Sequence, residues 1–339
     1  MFSLTLEPTN LCNRNCLHCL RDKLEPRESI SLELAQRILK EARVLGLDKI
    51  HITGGELTLY PDLEELISLI VDDGFRFDLV TNGYLFRERL LPLLAQPKVK
   101  KRLDEVCFSL DGATASSHNA IRGGGSFKEV MEAATLCRLK EIPVGFKSII
   151  SNLNKNEITE IALLGGTLGA KEHNFISLLP TPRLIKEAII PSPEELEKKV
   201  FWIMEGLAKT VKTKINIDAY CPPAVVFWCD AFHNLSVDHR GNQIFCCTLS
   251  HVVDEGKPST LGQELIADLK EISLREGIAR HFDLLAKLMR QRLNETEGLS
   301  KATYIPCYWC YKYFGKLIWL DTYPESPWAD GILKDGNKK

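Results

Sequence analysis

The stretch that decides the fold is LCNRNCLHCL, Leu11–Leu20, which sets Cys12, Cys16 and Cys19 at CxxxCxxC spacing directly after the short run SLTLE, Ser3–Glu7. That run reads as a buried strand. In an open α/β sheet or barrel, the loops at the carboxyl ends of the strands face the ligand crevice. Three thiols therefore meet on one loop at the place where active sites are built. Thiolates are soft ligands that select zinc, copper(I) or iron–sulfur clusters. A structural zinc site asks for a closed set of four ligands. This loop offers three, and His18, adjacent to Cys19, is badly placed to reach the same metal. A four-iron cluster on three thiolates instead leaves one iron open to a small-molecule ligand.

Working outward, five further runs read as short parallel strands: Lys49–Thr53, Arg76–Thr81, Asp104–Ser109, Pro143–Ile150 and His173–Leu178. Each is bounded by turn or polar residues, as buried parallel strands are. Helical patterns lie between them. Ser31 caps a stripe of Leu34, Ile38, Ala42 and Leu45 that Gly46 ends. Pro61 opens Leu63, Leu66, Ile67 and Ile70, closed at Gly74. Ser126 with Glu129, and Ser192 with Glu195, read as capping boxes. Cys107 and Cys137 read as buried small apolar residues. Six strand–helix units fall short of an eightfold closed barrel, so the expected fold class is α/β, a partial (β/α)6 barrel open on one side.

From about residue 213 the chain changes character. Pro, Trp and Cys become dense, as in YCPPAVVFWCD, and the pattern predicts a small Cys-rich α+β domain. The expected division is 1–213 for the barrel, 214–322 for the appendage and 323–339 for a C-terminal tail whose end, GILKDGNKK, reads as frayed. LSVDHRGNQIFCC reads as a hairpin turning at Gly241, which brings Cys229 and Cys246 together, and CYWC adds Cys307 and Cys310. Four thiolates would close a metal site. Cys221 is an alternative to Cys229. Neighbours on a strand point oppositely, so Cys246 and Cys247 are not expected to bind one cluster together.

The chain has 339 residues with 11 Cys, 45% hydrophobic and 26% charged residues, and a formal net charge of -2. Disorder and collagen-like repeats are excluded. A global basic excess is lacking, which argues against a nucleic-acid partner. No apolar run approaches a membrane span, and the N-terminus lacks a secretory signal pattern. The expected location is the cytoplasm, where thiols stay reduced, so the cysteines argue for metal binding or catalysis over a disulfide framework.

The CxxxCxΦC loop, with GGEL at Gly54–Leu57 after the second strand, resembles the radical S-adenosylmethionine (radical SAM) superfamily. TNG at Thr81–Gly83, SLDG at Ser109–Gly112 and HNAIRGGGSF at His118–Phe127 are weaker matches. The later cysteines, C-x11-G-x4-C followed by CxxC, resemble the twitch domain, a shortened relative of the SPASM auxiliary-cluster domain. The resemblance implies a SAM-binding [4Fe–4S] cluster on Cys12, Cys16 and Cys19. It implies a second [4Fe–4S] cluster on Cys229, Cys246, Cys307 and Cys310.

SAM itself would be bound by His18, Gly54, Gly55, Glu56, Asn82, Ser109, Asp111, Arg122, Ser148 and Leu178. Within that set, Arg122 would pair with the SAM carboxylate, and Ser148 and Leu178 would lie near ribose and adenine. The resemblance further implies an oxidoreductase that cleaves SAM to methionine and a 5'-deoxyadenosyl radical. The radical takes hydrogen from a peptide or a small polar substrate, with electrons from a flavodoxin- or ferredoxin-type donor. Two alternatives stay open. One is a radical epimerase in which Cys247 is the catalytic hydrogen donor; the other is a zinc-binding interaction protein without catalysis.

Overall fold

The computed structural model describes residues 2–21, 25–218, 229–250, 262–294 and 306–329. Seven strands run parallel in chain order: β1 Ser3–Leu6, β2 Lys49–Ile52, β3 Arg76–Thr81, β4 Leu103–Ser109, β5 Val144–Ile150, β6 Glu172–Ser177 and β7 Lys214–Asp218. Three more continue past β1: β8 Asn234–Val237, β9 Asn242–Ile244 and β10 Leu265–Asp268. The sheet order is β10-β9-β8-β1-β2-β3-β4-β5-β6-β7.

The six expected strands are all present, within a residue or two at their ends. The seventh was missed because it falls immediately after the change in composition near residue 213. β7 pairs with β6 in parallel register, Phe175 opposite Ile217. On the other flank β8 pairs in parallel with β1, Leu4 opposite Leu235. One sheet thus runs through the residues on both sides of that composition change.

Side chains alternate along these strands. Leu4, Leu6, Ile50, Ile52, Phe77, Leu79, Phe108, Phe146 and Phe175 are fully buried against the helices. Their neighbours Thr5, His51, Asp78, Cys107, Lys147 and Asn174 point the other way, into a polar interior. The apolar layer is the main source of stability, since each fully buried Phe or Leu contributes roughly 1.5–3 kcal/mol. Helices cover that layer. Ser31 Oγ accepts from the Leu34 N–H and starts the helix Leu32–Val44, as its sequence suggests. Ser192 and Glu195 form the second expected capping box.

The first expected box does not form. The helix Ser126–Leu139 begins at Ser126 itself, after Gly125 at φ +80. Ser126 Oγ reaches back to the Gly123 carbonyl and Asn119, and Glu129 is drawn off by Arg14 at 2.5 Å. An ion pair to the cysteine loop wins over a local cap.

The hairpin forms as read, with Ser236 opposite Ile244. Its turn presses onto the body of the chain. Gly241 adopts φ +82, and a Cβ there would stand 2.4 Å from Leu34 Cδ2. His239 Nε2 lies 3.2 Å from Asn10 Nδ2, and Arg240 pairs with Glu25 at 2.5 Å. The appendage thereby grips the start of the cysteine loop. Trp328 is buried, its indole N–H donating to the Pro191 carbonyl. The final stretch GILKDGNKK lies outside the described residues.

Two histidines are buried without charge. Burial pushes His118 down to about 4 and His173 down to about 3, from 6.5. Between pH 6.5 and about 4 the unfolded chain binds protons that these rings refuse, so stability rises with pH there and falls on acidification. Each ring is worth on the order of 3 kcal/mol across that window. The urea midpoint should drop steadily from pH 6.5 to about 4. A flat midpoint would show that both rings protonate within the folded chain.

Candidate active site and cysteine centres

Backbone hydrogen bonds build the first centre. The Gly55 N–H donates to the Thr9 carbonyl at 2.7 Å and the Glu56 N–H to the Leu11 carbonyl at 2.7 Å. These bonds strap the corner after β2 to the cysteine loop after β1. Such closeness explains the glycines. A Cβ on Gly55 would lie 2.1 Å from the Leu11 oxygen, and one on Gly54, at φ +104, would lie 2.9 Å from the Thr9 oxygen. The close approach they permit is thus made to the cysteine loop.

Glu56 is fully buried. Its carboxylate accepts from Thr58 N–H and Oγ1, from Thr81 Oγ1 and from the Asn82 N–H. Burial pushes its carboxyl up, and those four donors oppose the rise. Glu56 thus joins the ends of β2 and β3, with its oxygens spent inside the protein. Asn82 then extends to the loop, donating to Asn13 Oδ1 at 2.9 Å with Cys12 Sγ at 3.8 Å.

On the far side of the loop stands a buried ion pair. Asp111 follows β4 and is fully buried. Its Oδ2 meets Arg122 Nε at 2.5 Å and His18 Nδ1 at 3.6 Å, and its Oδ1 accepts from the Ile149 N–H at 2.7 Å. Burial alone would raise this carboxyl; Arg122 and His18 hold it below the usual carboxylate range. Burial pushes His18 down to about 4, so the ring is neutral. Arg122 Nη1 lies 4.0 Å from Cys16 Sγ. The expected partner of Arg122 was the SAM carboxylate. Here its Nε is committed to Asp111, which fixes the guanidinium beside the loop.

The three thiols are electrostatic neighbours. Burial raises the Cys16 thiol, Arg122 lowers it, and Cys19 and Cys12 raise it further. Arg21 bonds to the Cys19 and Cys12 sulfurs, which raise its pKa against the effect of burial. Three thiols gathered on one loop beside Arg21 and Arg122 make a soft donor set, and these residues fit a cluster held by Cys12, Cys16 and Cys19.

Ser109 ends β4 and is buried on the interior side, and Leu178 is buried directly after β6. Ser148 is a correction. It lies on β5 between Lys147 and Ile149, and strand alternation turns it toward the helices. Its hydroxyl is taken by the Leu110 carbonyl and by His173 Nε2 at 2.8 Å. Just past β5, Asn152 donates its Nδ2 to the Ala188 and Ile190 carbonyls.

The second centre gathers Cys229, Cys246, Cys307 and Cys310. Burial pushes Cys229 up to about 12, and Cys246 raises it further. Cys307 and Cys310 are raised by burial and then by the other thiols. Cys246 behaves oppositely. A hydrogen bond from Cys247 lowers it against burial, with help from the Thr248 and Leu249 N–H groups. Four clustered sulfurs, one readily deprotonated, suit a second cluster. Among the described residues, no three Cys, His, Asp or Glu side chains stand as they would around a single ion.

The strand argument that separated Cys246 from Cys247 does not apply. β9 ends at Ile244, and Cys247 opens the short helix Cys247–Ser250. Cys247 faces Glu7 and Lys147 of the barrel interior as well as Cys246. Cys221 lies outside the described residues.

Sequence reading missed the polar lining of the barrel. Asp78, Glu105 and Lys147 stand among apolar residues in RFDLVT, DEVCFS and VGFKSII, and that inward period of two was the available signal. Cys107 is buried as expected, yet it lies in this polar interior with its thiol donating to Glu105 Oε1 at 3.2 Å.

A three-thiol loop at the carboxyl end of the first strand, strapped to a glycine corner and flanked by a buried Asp–Arg pair, defines a cluster-binding α/β-barrel protein. Residues 6–164 match the family model described as Radical SAM superfamily, so the chain carries a radical SAM domain. Over 220 residues it is 29% identical to the AdoMet-dependent heme synthase of Methanosarcina barkeri, covering 64% of this chain and 61% of that protein. Over 251 residues it is 27% identical to the PqqA peptide cyclase of Gluconobacter oxydans, covering 70% of this chain and 68% of that protein. Streptococcus suis SuiB bound to the precursor peptide SuiA shares the fold, with a TM-score of 0.64 at 15% identity over 82% of this chain and 66% of that one. Superfamily members use a [4Fe–4S] cluster and SAM. No helix among the described residues is long and apolar enough to cross a membrane.

Proposed function

We propose that this chain is a SAM-dependent radical enzyme that removes hydrogen from a carbon of a peptide or small polar substrate. In this reading Cys12, Cys16 and Cys19 hold the SAM-binding cluster. Cys229, Cys246, Cys307 and Cys310 hold an auxiliary [4Fe–4S] cluster in the appendage, residues 214–322, with 323–339 as the tail. When bound, cluster and SAM supply an organic radical able to attack unactivated carbon. The protein's part is to orient these groups and to exclude water.

The carrying observation is the strap between the corner Gly54–Glu56 and the cysteine loop. It brings the ends of β1, β2 and β3 together opposite Asp111 and Arg122. Gly54, Gly55 and Glu56 shape the cofactor's seat, with Asn82, Ser109, Asp111, Arg122, His18 and Leu178 around it. A cytoplasmic setting and a flavodoxin- or ferredoxin-type donor fit the reduced thiols. Both substrate classes have support among the relatives, one named for heme synthesis and one for cyclising a peptide.

The test is anaerobic reconstitution of the full chain. About eight irons per chain, an electron paramagnetic resonance change on adding SAM, and formation of 5'-deoxyadenosine are expected. Colourless, zinc-loaded protein would support the interaction-protein alternative.

A second reading concerns Cys247, favoured by its place between Cys246 and Lys147. Its thiol hydrogen could pass to the substrate radical, leaving a sulfur radical that the assay's reductant restores with one electron and one proton. Epimerisation without net oxidation follows. Cys247→Ala should then abolish product while 5'-deoxyadenosine still forms; undiminished product would exclude the role.

A further inference from the structure

We propose that Lys147 is a binding site for a carboxylate of the substrate, one inward position below the cofactor seat. This rests on the functional reading above and names the substrate's chemistry. Lys147 on β5 stands in register with Ser109 on β4 and Asn174 on β6, and Asn174 in turn with Asn216 on β7. These four side chains form one polar row across the barrel interior. Two residues further along β5, the Ile149 N–H anchors Asp111, whose other oxygen holds Arg122. A group on Lys147 therefore lies directly beneath the Asp111–Arg122 rim.

The ammonium of Lys147 projects among Cys107, Asp218, Asp78 and Cys247. Carboxylates are near, yet among the described residues none comes within ion-pair distance. Each of three nearby acids already has its own partner. Asp78 is held by Lys49 at 2.9 Å and by His51 at 2.8 Å. Glu105 takes the Cys107 thiol, and Gly145 leaves room for it, since a Cβ there would meet Glu105 Oε2 at 2.6 Å. Glu172 is held by Lys214 at 3.1 Å and by Asn216.

Asp218 remains, two strands away and one inward position nearer the rim. The two opposite charges face the same space without touching. Lys147 is half-buried, so its ammonium is reachable from that space and open to a direct anion contact. A ligand carboxylate would supply that contact, and Asn174 beside it offers further hydrogen bonding.

Crystals of the anaerobically reconstituted full chain with SAM provide the test. In bromide soaks, anomalous density should appear against Lys147 Nζ and should vanish in Lys147→Met. Where that variant does not fold, Lys147→Arg should keep the bromide. Two carboxylate probes then follow, free glutarate and the capped tripeptide acetyl-Ala-Glu-Ala-amide. Density for glutarate alone assigns a free acid, and density for the tripeptide assigns a peptide side chain.

Bromide elsewhere but not at Lys147, bromide without either carboxylate, or Nζ in direct contact with Asp218 or Asp78 would overturn the proposal. Iron content and the SAM-induced resonance change are recorded on the same material. Their loss would defeat the functional reading, whereas their presence with no anion at Lys147 defeats only this inference.

Discussion

Replacing Cys12, Cys16 or Cys19 singly with Ala should reduce 5'-deoxyadenosine formation to background, a loss of about a thousandfold or more. The argument is one of ligand count. A cluster that leaves one iron open already stands on the fewest protein ligands it can use, and each thiolate lost exposes a second iron to solvent. The electrostatics sharpen this. Cys16 sits against Arg122, and Cys12 and Cys19 draw Arg21 between them. Deleting one sulfur takes a partner from the guanidiniums that line the loop, so the loop loses its organisation with its metal. The readout separates two effects. Iron should fall from about eight to about four per chain, because the four appendage cysteines are untouched. The SAM-induced resonance change should disappear. Turnover surviving in any one variant would remove the basis of the assignment.

Gly55→Ala should be nearly as damaging, although it removes no ligand. The added methyl would lie 2.1 Å from the Leu11 carbonyl oxygen and 2.9 Å from the Asn10 carbonyl carbon. Both are backbone atoms, so no side-chain rotation relieves the clash. The strap must open, and with it go the 2.7 Å bonds from Gly55 and Glu56. Overpacking of this kind costs about 3 kcal/mol, here concentrated at the corner that seats the cofactor. Expected are a lowered melting temperature, a SAM affinity weakened by about a hundredfold, and cluster loss in air within minutes. Gly46→Ala is the comparison. It also has positive φ, at +87, yet nothing lies within 4 Å of its added methyl. It should lose some stability to backbone strain and keep its affinity for SAM. Equal affinity in both variants would show that the strap is not what forms the seat.

Much of this was legible in the chain because the signals are local. CxxxCxxC after SLTLE, GGEL after KIHIT, and the helix stop at Gly46 each concern a few neighbouring residues with one dominant physical cause. The hairpin at Gly241 was legible for the same reason. What escaped depends on long-range competition. Ser126 and Glu129 have the spacing of a capping box, but Arg14, more than a hundred residues away, takes the glutamate. Ser148 looked like a cofactor contact by position, and only the pleat shows that it faces the helices. β7 was hidden because its composition belongs to the appendage while its hydrogen bonds belong to β6. Lys147 was overlooked because a single lysine in an apolar strand looks like an interruption until the rows on either side are placed.

The pairing of β8 with β1 carries a consequence for how this protein is made. Translation delivers the cysteine loop more than two hundred residues ahead of β8, and the strand that launches the loop acquires its outer neighbour only when residues 234–237 have been synthesised. The grip of His239 and Arg240 on Asn10 and Glu25 arrives at the same moment. Until then the nascent chain offers three thiols on an unsupported ledge, open to oxygen and to stray metals. Iron delivery to the first centre is therefore timed by the synthesis of β8 and its turn rather than by that of the cysteine loop itself.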